Sequence, residues 1–395
     1  MLGSQPDFSL VLGGPLFQIY RRTHLSGDAL ELLQRRMLVF STVTWLPLLL
    51  LSALHGDAFG KSVPITFVED IEAHVRFLIA LPILIAAELV VHRRIRFVVV
   101  QFLEHGIVAP EDVPRFRDAI DSTMRLRNSP VIELALLAVV YTVGLWIWRT
   151  EVALGMSSWY ASAEGTQMRL TAAGYWNLLV SVPIFQFVLL RWYFRFFLWF
   201  WFLLRVSRLQ LRLLATHADR AAGLGFLDIS INAFALVLLA QGSMLAGLIA
   251  SQILHAGRDL MSFKVQIVGF LALFVGAALV PLIVFTPHLV RAKRNTAREF
   301  AGLVSRYTRE FQRKWVEGGA PVDEPLLGSS DIQSLADIGN SFTVVRETRL
   351  VPFSLKEVSR LAAVSAVPFV PLLFTTFSVN DLATYLLKAI FGAAR

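Results

Sequence analysis

Residues 189–205 read LLRWYFRFFLWFWFLLR and carry Arg191 and Arg195 among nine aromatic rings, with no acidic residue. A guanidinium in such a stretch pairs with a buried carboxylate, lines a wet cavity, or snorkels its head to the lipid headgroups. Two carboxylates are placed to be partners. Glu88 stands four residues before His92-Arg93, and Glu133 four residues after Ser129. At 1.5 Å per residue both lie roughly 6 Å inside a hydrocarbon boundary, and Arg191 roughly 7 Å inside the same one. Arg195 follows one turn later on the same helical face. The expectation is an intramembrane charge cluster of Arg191, Arg195, Glu88 and Glu133. Its first reading is a structural ion-pair cluster, ahead of snorkelling, and a gate or ion site comes third. Snorkelling of the arginines and a helix-dipole role for Glu133 are the alternatives.

A second group of polar residues lies in HADRAAGLGFLD, residues 217–228. His217, Asp219, Arg220, Gly223 and Gly225 form a candidate loop site, because glycines at a helix start can cradle an anion. The competing reading is a turn that ends in Asp228 as the N-cap of the next helix. Two ligands two residues apart do not make a metal centre, so no metal and no cofactor are expected. A third group, Gln241, Thr286, Thr375 and Thr376, comprises polar positions on apolar helices, two of which contain prolines at 281, 287, 368 and 371. These are candidate pathway-lining residues, or interhelical hydrogen-bond donors. No HExxH or GxSxG pattern is present, and the expectation is a protein that is not an enzyme.

The elements that must position these residues follow from composition. Of 395 residues, 55% are apolar and 17% charged, against about 25% in soluble domains. Mean hydropathy is +0.60. There is no cysteine, which excludes disulfides and thiolate sites. The start, MLGSQPDFSL, does not read as a signal peptide. The fold class expected is all-α: a polytopic membrane protein with six to seven transmembrane helices and long cytoplasmic helical extensions. Six windows of suitable length fall at about 37–55, 77–92, 130–149, 175–198, 229–254 and 265–288. A seventh, 358–377, is broken by Pro368 and Pro371. With residue 1 inside, 27 Lys and Arg lie on the cytoplasmic side and 8 outside, so the N-terminus is expected in the cytoplasm. That bias also accounts for the net charge of +8 without nucleic acid.

The extensions are helical too. Asp28 and Glu31 have capping-box spacing ahead of the first span. Residues 110–127 place Val113, Phe116, Ile120 and Met124 on one face. The region divides into 1–290, a cytoplasmic segment 291–357, and 358–395. In the middle segment a helix with a basic face runs to about 315, a linker covers 317–330, and a helix covers 330–348; the basic face suits anionic headgroups or simply solvent. Small residues on spans five and six, with Gly242, Ala246, Gly269 and Gly276 among them, suit a tight hairpin of those two spans.

THADRAAGLGFL (216–227) and SLADIGNSFTVVRETRLVPFS (334–354), followed by a proline-interrupted apolar tail, resemble a group of bacterial multi-pass membrane proteins. The resemblance implies a bacterial inner (plasma) membrane location and assigns no catalytic residue. The function expected is a channel or transporter moving an ion or small solute, its path in spans five to seven. The alternative is a non-transporting scaffold or sensor whose cytoplasmic helices bind a partner. Expected partners are the lipid bilayer, a homo-oligomer and a cytoplasmic protein.

Overall fold

The computed structural model describes residues 8–15, 17–18, 32–60, 63–144, 146, 158–164 and 167–375. Thr376 and the Asp28/Glu31 pair lie outside them. Five helices are long and apolar enough to cross a membrane, or six if one bent pair counts as a single span. They are α1 (Leu33–His55), α2 (Ile71–Glu104), α5 (Ala172–Val206), α6 (Gly225–Ala256) and α7 (Leu260–Ile283). The bent pair is α3 (Val113–Arg127, entered through a turn at Pro110–Asp112) with α4 (Pro130–Val139, extended by Val140–Gly144), which meet at 46°. Pro130 is the cause of the bend: it cannot continue α3, yet its fixed φ starts α4. A small hairpin, β1 (Ala161–Glu164) and β2 (Gln167–Leu170), pairs Ala161 with Leu170 ahead of α5.

The two longest spans outrun their sequence windows by the most. At 34 and 35 residues, α2 and α5 extend about 50 Å, well beyond a hydrocarbon core of about 30 Å. Their surplus lies at the end that carries Arg93 to Arg127 and Arg205 to Arg212, which we call the basic end. The apolar face of α3 packs there against α5, burying Phe116, Ala119, Ile120 and Thr123.

The seventh window does not form a continuous span. α10 (Leu355–Ala366) is amphipathic, and Pro368 and Pro371 then divide the chain into short turns at Val367–Phe369 and Val370–Leu373. The small residues of α6 receive this segment rather than α7. A Cβ on Gly242 would stand 2.5 Å from the carbonyl oxygen of Ser365, whereas Gly269 and Gly276 of α7 have nothing within 4 Å.

After α7 the helix breaks at Val284 and Phe285, because Pro287 takes the first turn of α8 (Thr286–Phe311). The partner of α8 is α9 (Ser330–Glu347), whose N-cap Ser329 accepts from the N–H of Asp331. Lys314 binds Glu324 at 2.6 Å and Asp331 at 2.9 Å, and Trp315 Nε1 donates to Asp331. These bonds hold the Lys314 ammonium above its usual range and Asp331 below the usual carboxylate range.

Candidate functional site

Glu88, on α2, sits between two guanidinium groups. Arg195 of α5 donates to Oε1 at 2.7 Å, and Arg36 of α1 stands 2.8 Å from Oε2. All three residues are buried, at 6% exposure for Glu88, 3% for Arg195 and 2% for Arg36. The Arg195 guanidinium also lies over the Trp192 ring, 4.6 Å from its centroid. Trp192 in turn is fixed by its Nε1 donation to the carbonyl of Leu84, one turn before Glu88. Arg191 stands 3.6 Å from Glu133 of α4 and also lines the cavity beside Glu88. The four residues expected to cluster fall into two adjacent pairs, Arg195 with Glu88 and Arg191 with Glu133. Between them are two cavities of about 10 Å³ each, both lined by Arg191 and Arg195, each the size of about one water.

Two contributors were not expected from sequence. Arg36 stands beside Arg35, and by sequence both belong to the Lys and Arg of the cytoplasmic side. The helix puts the two about 100° apart, so that Arg36 turns into the bundle while Arg35 is exposed. The second is residues 8–14. Phe8, Ser9, Leu10 and Val11 are buried against α5 and the ends of α2 and α3, with the Phe8 ring 4.8 Å from that of Phe202. Ser9 Oγ is 2.9 Å from Nδ1 of His92, and Arg127 donates to the Ser9 carbonyl. Gly14, at φ +87°, lets the chain pass Glu133 closely, since a Cβ there would lie 2.9 Å from Oε1. The segment covers the cluster from the basic end.

From the cluster toward the opposite end, α1 and α5 face each other with further polar groups. Thr44 and Ser52 of α1 and Asn177 and Ser181 of α5 are buried. Ser181 donates to the Thr44 carbonyl at 2.7 Å. The Ser41 Oγ, Ser52 Oγ and Asn177 Oδ1 atoms are buried without a hydrogen-bond partner among the described residues, as is Gln186 Oε1 beside Gly144 of α4. From Arg36 to Ser52 is about 24 Å along the helix, most of a hydrocarbon core. Beyond this seam stands an aromatic cap. Trp45 donates to His74, Trp159 donates to Asp70, and Phe67 packs edge-on to Trp159 at 5.0 Å.

The candidate pathway residues do not gather. Gln241 donates to the Tyr193 hydroxyl at 2.8 Å, Thr375 donates back to the Leu372 carbonyl, and Thr286 Oγ1, at the start of α8, is buried without a partner among the described residues. None of them lines the cluster cavities.

The loop 217–225 is filled from within. Asp219 accepts from the N–H groups of Ala221 (2.8 Å), Gly223 (3.1 Å) and Gly225 (2.8 Å), and His217 Nδ1 stands 2.9 Å from it. A carboxylate thus occupies the place an external anion would take. Arg220 and Ala222 are held at φ 54° and 55°, in the left-handed region. Asp228 does not cap α6; it accepts from the N–H of Ser354. The two stretches that carry the family resemblance are docked on each other. Arg349 donates to the Asp219 carbonyl, its own N–H reaches the Arg220 carbonyl at 2.7 Å, and Thr348 donates to the Ala215 carbonyl.

Burial raises the Asp219 carboxyl, but the three N–H donors and His217 outweigh it and hold it below the usual carboxylate range. The resulting stability is present above about pH 4, the unfolded value, and is lost as pH falls through the lower folded value. Asp219→Ala is expected to cost about 2–3 kcal/mol, because three N–H groups lose a charged acceptor. Thermal unfolding in detergent at neutral pH checks this; an unchanged midpoint refutes it.

Among the described residues no group of three or more His, Asp or Glu stands together as a metal site. In comparisons with known proteins, no family model, no curated protein and no solved structure matches this chain.

Proposed function

We propose that this is an integral membrane protein of channel or transporter type, and that an ion or small polar solute crosses along the seam between α1, α2 and α5. The observation that carries this reading is the set of partnerless buried polar atoms, Ser41, Ser52 and Asn177, in line with the Arg36–Glu88–Arg195 network. Buried polar atoms without partners are costly, and in membrane spans they mark routes for water and ions. Glu88 is the gate in this reading. Its carboxylate holds α1, α2 and α5 together at the basic end, and the arrangement described above is the closed state. The path thus runs through the first, second and fourth expected spans instead of the fifth to seventh. The distribution of Lys and Arg supports a basic end that faces the cytoplasm, and a bacterial cell is what the resemblance of residues 216–227 and 334–354 implies.

The test is ion flux from proteoliposomes loaded with KCl. Glu88→Gln removes the charge that holds both arginines and is expected to raise flux at least about tenfold, a change that needs only about 1.4 kcal/mol of shifted equilibrium. On the cysteine-free background, Ser52→Cys and Ser41→Cys are expected to react with a water-soluble thiol reagent in the Glu88→Gln protein. If flux stays at the level of empty vesicles and both cysteines stay sealed in that variant, the reading is refuted.

A second reading, a scaffold or sensor, is favoured by α8 and α9. Together they form a helical pair outside the spans, with exposed faces suited to binding.

A further inference from the structure

At 100° per residue, Arg291, Arg294, Arg298, Arg306 and Arg309 of α8 fall within an arc of about 120°. Arg313 follows in the next turn. All six are exposed, and none takes part in an ion pair among the described residues. The face that α9 covers carries Phe300, Val304, Tyr307 and Phe311, and its centre lies on the far side of the helix from the arginines. The arginine face is therefore the uncovered side of the pair. At the tip of the same pair, Val316 is 72% and Leu327 87% exposed, and Val322, Leu326 and Ile332 are exposed beside them. Val316 continues the arc of the arginines.

We propose that this hairpin docks on an anionic membrane surface, with the arginines on lipid phosphates and the aliphatic tip in the acyl boundary. Three observations favour lipid over an acidic polypeptide. The helix α8 begins three residues after the last residue of the span α7, so its first arginines stand next to the headgroups. A row of arginines with no interleaved acid on its arc matches a surface of uniform negative charge. Exposed aliphatics at the far end suit insertion, and basic faces joined to apolar ones are the pattern of interfacial helices. The occupant is identified by its chemistry, lipid whose phosphate headgroup carries a net negative charge, and does not depend on the transport reading.

The experiment uses the full chain in nanodiscs. Pro325→Cys, in the exposed tip, carries an environment-sensitive dye, and a quencher is placed on the lipid chains. In discs rich in phosphatidylglycerol the dye is expected to shift to the blue and to be quenched; in phosphatidylcholine discs it remains solvent-like. High salt is expected to reverse the shift. Replacing Arg291, Arg294 and Arg298 with Gln lowers the docked-to-free ratio by on the order of 100-fold, from about 1 kcal/mol for each cation near an anionic surface. The same three changed to Lys retain docking, which separates lost charge from a misfolded helix. Equal quenching in both lipids overturns the proposal. So does a response to polyglutamate with none to phosphatidylglycerol, which identifies an acidic polypeptide as the partner.

Discussion

Glu88→Ala is expected to destabilise the protein by about 3–5 kcal/mol, the largest effect of any single substitution in the charge cluster. The reason is what it leaves behind. Arg36 and Arg195 are both buried, and each has an oxygen of Glu88 within 2.8 Å. Removing the carboxylate leaves two guanidinium groups close together with the charge that held them gone. Arg195→Ala removes one contact and one of the two like charges, so its cost is smaller, and the two changes together cost less than their sum. A double-mutant cycle read by unfolding in mixed micelles measures that difference, and strict additivity refutes the pairing. Arg195→Lys keeps the charge but loses the planar stack on Trp192 at 4.6 Å, and it falls between wild type and Ala. The combined variant Arg36→Met, Glu88→Leu, Arg195→Met separates stability from function. Replacing a buried ionic triad with apolar groups of similar volume is often neutral or stabilising. If that variant is as stable as wild type yet leaks ions, the triad is retained for gating; if it is stable and tight, the triad is only one of several ways to fill the space.

Depth counting puts Arg191, Glu88 and Glu133 at one level, with Arg195 one turn along, because rise per residue is a fixed property of a helix and the bilayer sets a common ruler. Which carboxylate each arginine takes depends on helix rotation and tilt, and neither has a sequence signature. Arg36 escaped because its neighbour Arg35 is a credible interfacial anchor and the two differ only in azimuth. No sequence signal separates the two: the buried row of Thr44, Leu48 and Ser52 is centred about 120° around an ideal helix from Arg36. Residues 8–11 escaped for another reason. FSLV has no helical or strand period, and only a partner surface makes so short a stretch bury. The small residues of α6 were legible as a contact site but not as to what they contact; Gly242 admits a backbone that comes from more than 120 residues later. The glycine-rich loop is the clearest case of a motif that fits two readings. Its N–H groups do cradle an anion, and the anion is the chain's own Asp219.

Removal of residues 1–12 is expected to expose the cluster to solvent from the basic end. Phe8, Leu10 and Val11 are each at most 2% exposed, and the rings of Trp199 and Phe202 lie against Phe8. Each such side chain contributes about 1.5–3 kcal/mol by its burial, so apolar contact is a large part of what holds residues 8–11 in place. Among the described residues its polar ties are Ser9 to His92 and Arg127 to the Ser9 carbonyl. Such a segment can leave as a unit without breaking a span, and below it lie the two cavities that Arg191 and Arg195 share. In the truncated protein, Leu198→Cys, on the lining of one of them, is expected to react with a water-soluble thiol reagent at least about tenfold faster than in the full chain, a ratio equivalent to about 1.4 kcal/mol. Far-UV circular dichroism and the unfolding midpoint establish that the spans are intact. Ser9→Ala in the full chain is the milder companion: it removes one polar tie and leaves every apolar contact, so Leu198→Cys stays protected. Equal reactivity of Leu198→Cys in the full and truncated chains refutes the cover. Faster reaction together with raised ion flux makes the segment an inner plug in series with Glu88, whereas faster reaction with unchanged flux leaves the ion pairs as the barrier.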